Sequence, residues 1–220
     1  MTADPNDPLP SEAELALAWS SPGVRGPLTT ALQLDRRLAR IVARTSEPML
    51  GQMRLAWWRE ALAMPPHERP RGDAVLDAIS VHWLGREGSL TAMVDAWEVL
   101  VTAERIGPDE ALALGLGRGA FFAALATASV QPELAVRLAT AGQRWALADA
   151  AARVSDPAER AALISAGLST RDGACRIPGE LRGLAVLEAL ALRALRGGGR
   201  PLMDGRMAPL TALRAAIFRA

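Results

Sequence analysis

Apolar residues recur at three- and four-residue spacing through most of the chain, and proline and glycine cut the pattern into helix-length pieces. The densest piece spans 50–64, LGQMRLAWWREALAM, preceded by Pro48 and closed by Pro65-Pro66. It predicts one helix of about four turns. At about 100° per residue, Met53, Met64, Trp57, Leu50, Ala61, Trp58, Leu62 and Leu55 fall in one arc of about 200°. Arg54 lies inside that arc between Ala61 and Trp58, Glu60 lies at its edge, and Gln52 and Arg59 lie opposite. A buried guanidinium needs a partner. Arg54 and Glu60, about 120° apart around the axis, cannot pair with each other, so their partners are expected from other helices. The stretch reads either as a core helix with a structural ion pair or as a helix lining an internal cavity.

The remaining pattern predicts further helices. Residues 1–10 read as a loose arm, and Ser11 with Glu14 resembles a capping box for a short helix through Trp19. A helix over 27–44 turns Ala31, Leu34, Leu38, Ile41 and Val42 inward. Arg36, Arg37, Arg40 and Arg44 oppose them, as a solvated face or a docking surface for an acidic partner or headgroups. Asp73 suits the cap of a helix over 73–83. A helix over 90–104 presents Leu90, Met93, Val94, Trp97, Leu100 and Val101, with Glu98 beside that face and Glu104 on it.

From Asp109 a helix runs into Gly115-Leu-Gly117-Arg-Gly119. The third glycine comes one residue early for a dinucleotide fingerprint, and no strand precedes it. Close helix packing or a kink explains it better, with Arg118 pointing into the bundle. Helices over 132–154, with Leu134, Leu138, Ala141, Trp145, Ala148 and Ala152 on one face, over 157–166, over 180–195 and from 209 to 220 complete the set. Glu188 falls among Ala185, Leu192 and Leu195. Arg54, Trp57, Trp58, Glu60, Glu98, Arg118, Trp145 and Glu188 are therefore the candidates for a cavity lining or an internal ion-pair network. Spacing leaves open which of them meet.

Composition sharpens the class. Half of the 220 residues are hydrophobic, mostly Ala and Leu, with sparse Val and Ile and no Tyr. This favours an all-α fold, in one domain because no linker interrupts the pattern. All 25 basic residues are Arg against 24 acidic ones, a formal charge of +1, which argues against a nucleic-acid partner. The single cysteine, Cys175, excludes an internal disulfide and fits a reducing, cytoplasmic compartment. No apolar run reaches the ~18 residues of a membrane span, and peripheral membrane contact stays open. His67 and His82 lack partners at ligand spacing, so a histidine metal site is not expected.

The segment EPMLGQMRLAWWREAL (47–62), preceded by ALQLDRRLARIV (31–42), resembles the squalene/phytoene synthase family, in particular its divergent branch that includes a mitochondrial complex I assembly factor. AVLDAI, a Gly-containing helix near Gly119, AGQRWALADAAARV and GRMAPLTALRAAIFRA follow in matching order. The resemblance implies the α-helical isoprenoid (terpenoid) synthase fold, with helices around a central cavity. In active members, two D-x-x-x-D motifs on opposing helices hold Mg²⁺ ions that bind a substrate diphosphate and assist its departure. Here the first motif aligns with Ala39-Arg40-Ile41-Val42-Ala43 and the second with residues 153–157, and neither keeps its carboxylate pair. The literal D-x-x-x-D of Asp73 and Asp77 lies elsewhere, beside a proline-rich loop.

A non-catalytic member with a binding or respiratory-complex-assembly role is the first expectation, without a cofactor and with a protein partner. A prenyl-diphosphate transferase with an altered Mg²⁺ site and an isoprenoid- or lipid-binding protein are the alternatives.

Overall fold

The computed structural model describes residues 8–45, 47–126, 132–171 and 175–218. Their regular structure is helical throughout, with no strand among the described residues: α1 (Ser11–Ala18), α2 (Pro22–Arg44), α3 (Pro48–Ala63), α4 (Ala74–His82), α5 (Gly88–Thr102), α6 (Pro108–Gly119), the single turn α7 (Phe121–Ala124), α8 (Pro132–Ala151), α9 (Pro157–Ser169), α10 (Arg182–Arg196) and α11 (Ala208–Phe218). Most of the arm expected at 1–10 lies outside the described residues, as do the last two residues of the helix expected to 220.

Local chemistry sets most boundaries. Proline opens α2, α3, α6 and α9, where a missing N–H costs nothing. Asp73 accepts from the amides of Val75 and Leu76, and Asp156 from those of Ala158 and Glu159. The capping box at Ser11 does not form; Pro10 holds the cap position and Ser11 is already helical. α2 starts a turn earlier than expected, at Pro22, and carries Pro27 inside it. Burial of Val24 and Leu28 holds that turn, and the Pro27 carbonyl accepts from the Trp83 indole at 3.0 Å. α5 stops at Thr102, which leaves Glu104 outside the helix and exposed rather than on an inward face.

α8 and α10 form the axis of the bundle. α8 is buried on nearly every side from Leu138 to Ala151, enclosed by α6, α7, α9 and α10; α10 is covered in turn by α1, α9 and α11. One continuous apolar cluster runs from Ala13 to Ala216, and a smaller one around Leu114, Leu147 and Leu163 adjoins it. The glycines of α6 are contact points. A Cβ on Gly119 would stand 2.3 Å from the carbonyl carbon of Gly142 on α8, and one on Gly117 would stand 2.6 Å from the Ala92 carbonyl on α5. The expected close helix packing is therefore present, and it seats α6 against two neighbours at once.

The stretch over 50–64 corrects the expectation placed on it. α3 buries one strip, Gly51, Leu55, Trp58, Ala61 and Leu62, against α5 and α2. Met49, Leu50, Met53, Trp57 and Met64 form a second, exposed strip. The 200° apolar arc is real but wider than a helix contact, so half of it faces outward. Arg54 lies on that outer side and donates to the Thr45 hydroxyl at 3.2 Å, and Glu60 is exposed as well.

Candidate functional site

The charged centre of the molecule is Arg118. It sits between Gly117 and Gly119, so the two close approaches of α6 bring its side chain into the bundle. It is 2% exposed. Its Nε donates to Asp35 Oδ1 at 2.6 Å, and its Nη2 donates to Asp35 Oδ2 at 2.7 Å and to Asp149 Oδ2 at 2.6 Å. Nη1 donates to the Ala146 carbonyl at 3.2 Å. The guanidinium carbon lies 4.6 Å from the ring centroid of Trp97 and 4.8 Å from that of Trp145, so two indoles flank the cation. The Trp97 indole N–H also donates to Asp35 Oδ1 at 2.9 Å, and Arg153 donates to Asp149 Oδ1 at 2.8 Å.

Asp35, Arg118, Asp149 and Arg153 together carry no net charge, and each carboxylate meets more than one donor. Burial would push the Arg118 guanidinium down; the charges of Asp35 and Asp149 and their hydrogen bonds outweigh it and raise its pKa above the ordinary value. Burial likewise pushes the Asp149 carboxyl up, yet the Arg118 charge and the Arg153 hydrogen bonds hold it below the usual carboxylate range. Glu12 on α1 stands at the outer edge, its carboxyl raised chiefly by burial.

The open space here is about 20 Å³, bordered by Glu12, Asp35, Arg118, Trp145, Asp149 and Arg153. That is room for about one water molecule and not for a prenyl chain. Beneath it, Phe121, Phe122 and Trp145 pack ring against ring, with centroids 4.9 to 5.7 Å apart. A divalent cation such as Mg²⁺ does not fit the donor set. It needs free carboxylate oxygens, and those of Asp35 and Asp149 face a permanent cation between them. Among the described residues, no group of three or more His, Cys, Asp or Glu side chains is placed to hold a metal ion.

Other charges close the bundle elsewhere. Glu188, 1% exposed on α10, receives Arg144 at 2.8 Å and both terminal nitrogens of Arg137, all from α8. Glu98 pairs with Arg59, the residue placed opposite the apolar arc, which also reaches Asp95. Arg69 ties the loop after α3 to Glu87 at 2.8 Å and to the carbonyls of Leu62 and Met64.

Of the sequence-derived candidates, Arg118 and Trp145 meet at the centre, Glu188 and Glu98 are paired separately, and Trp58 is packed in the apolar core. Arg54, Trp57 and Glu60 lie on the surface and, among the described residues, join no internal ion-pair network, Trp57 packing edge-on against Trp58. Asp35 is not among those candidates; in the sequence it stands beside arginines. Its signal was position: four residues after Ala31 and three before Leu38, it lies in the middle of the apolar stripe of α2. Asp149 carries the same mark, four residues after Trp145.

Comparison with family models, with characterised proteins and with solved structures gives no match to this chain.

Proposed function

We propose that this chain is a non-catalytic protein on a squalene/phytoene synthase-like bundle, acting by binding a partner protein in the assembly of a respiratory complex. The observation that carries the reading is the Asp35–Arg118–Asp149 bridge. On the resemblance, α2 and α8 are the two helices that would bear the aspartate-rich motifs. Each offers one inward carboxylate, one turn before the aligned motif position, and four residues further on stand Ala39 and Arg153. A guanidinium lies between the carboxylates where a metal–diphosphate pair would need open charge. Arginine can bind a diphosphate, but Arg118 is already engaged by two carboxylates and two indoles.

The outer strip of α3 supports a binding role. Met49, Leu50, Met53 and Trp57 are exposed along one line of a helix whose other side is packed. Flexible thioethers beside an indole make an adaptable contact surface.

The test has two arms. Purified protein incubated with farnesyl or geranylgeranyl diphosphate and Mg²⁺ is expected to release no pyrophosphate above the blank, and robust metal-dependent release overturns the non-catalytic reading. Deletion of the gene is expected to lower assembled complex I, and unchanged content removes the assembly role.

A further inference from the structure

α11 is built inside out. Its packed side against α10 is made of small residues, Ala208, Ala212, Ala215 and Ala216, while Leu210, Leu213, Ile217 and Phe218 point outward. A helix that closes a water-facing bundle ordinarily does the reverse. The exposed arc also carries Arg214, Arg206 is exposed in the turn just before the helix, and α11 contains no acidic residue. Beside it, a groove of about 400 Å³ opens between α10 and α11, lined by Arg193, Arg196, Arg214 and the Thr211 side chain together with Leu192 and Phe218, with no carboxylate in its lining. Arg193 donates to the backbone carbonyls of Leu202 and Asp204, while the Asp204 carboxylate lies 3.7 Å from Arg200 in an exposed pair outside that lining.

From this juxtaposition we infer that the α10–α11 face is a docking surface for an anionic lipid bilayer. A lipid phosphate lodges between Arg196 and Arg214, and Leu213, Ile217 and Phe218 enter the boundary with the acyl chains. Charge and apolar character both call for this occupant. Arginines without counter-charges attract anionic headgroups, and large apolar side chains beside them gain only where hydrocarbon lies within reach. A free phosphate would satisfy the arginines and leave the apolar arc in water. The surface lies flat on the bilayer: no described helix is long and apolar enough to cross one. This inference rests on a different face from the Arg118 centre and stands whether or not the chain is catalytic.

Flotation of the full chain with phosphatidylcholine vesicles, with and without phosphatidylglycerol, tests it. Binding is expected only with the anionic lipid and is expected to weaken as salt rises. Arg196→Gln with Arg214→Gln should weaken binding about 30-fold, about fivefold for each cation near the surface. Leu213→Gln with Ile217→Gln should abolish stable binding while the parent melting temperature is kept. Equal binding to neutral vesicles, no binding at all, or binding untouched by both variants overturns the proposal. So does inorganic phosphate raising the melting temperature of a chain that ignores vesicles, since the groove then serves a free anion. A concentration-dependent dimer dispersed by the Leu213/Ile217 variant also overturns it, because a second copy then covers the face.

Discussion

Arg118 donates to both carboxylate oxygens of Asp35, at 2.6 and 2.7 Å, across 83 residues of sequence. The contact joins α2 to α6, and the third member, Asp149, extends it to α8. Three helices thus meet through one side chain that has almost no contact with water.

Replacing that side chain exposes the cost. Arg118→Leu leaves two carboxylates facing each other in the interior, and the loss is expected at about 3–5 kcal/mol. Adding Asp35→Asn and Asp149→Asn in the same chain should restore a large part of it, because the charge left without a partner, Arg153, is half exposed to water. Urea denaturation of the single and triple variants measures both. A single variant as stable as the parent would show that the bridge is open to solvent.

The helix crossing makes a sharper contrast between two glycines. Gly119→Ala puts a methyl group into the backbone of Gly142, where neither chain can give way, and should destabilise by about 3 kcal/mol or prevent folding. Gly23→Ala, in the first turn of α2 with nothing within 4 Å of the added atom, should be neutral or stabilising by up to about 1 kcal/mol. Thermal melts of the two variants suffice to compare them.

Arg54→Ala should change stability by less than about 0.5 kcal/mol, because the side chain is exposed and, among the described residues, donates to the Thr45 hydroxyl alone. A loss of several kcal/mol in a urea melt would place it in the interior after all.

The pH dependence has two opposite parts. Asp149 titrates below the usual carboxylate range, so its stabilising contribution is present above the unfolded value, about 4, and is lost as the pH falls through its lower folded value. Glu12 titrates above its ordinary 4.5, so its contribution is present in acid and is lost as the pH rises through that raised value. Glu12→Gln should therefore stabilise the protein at neutral pH and leave it little changed at about pH 3. Parallel melts across that range read the difference, and a variant less stable at neutral pH would reverse the assignment.

The helical class was legible from periodicity and composition, and so were the Pro48 and Asp73 boundaries, since these are local effects. The inward direction of Arg118 could be read from its flanking glycines. Its partners could not, because Asp35 and Asp149 come from helices distant in sequence and spacing says nothing about which helices meet. The error at Arg54 has a physical cause as well. A helical wheel gives the width of an apolar arc, not which part of it a neighbour covers, and α3 splits its arc between α5 and the surface.

The Arg118 bridge also has an evolutionary consequence. To place a metal ion between α2 and α8, a descendant of this chain would have to remove the arginine and gain further carboxylates. The arginine cannot go first, because Asp35 and Asp149 would then repel each other in the interior. Extra aspartates cannot come first, because the two guanidinium groups, Arg118 and Arg153, would be outnumbered. Losing the arginine first costs about 3–5 kcal/mol, a large share of the margin of a folded domain. The bridge therefore works as a ratchet: each single step from it towards a metal site passes through a less stable protein.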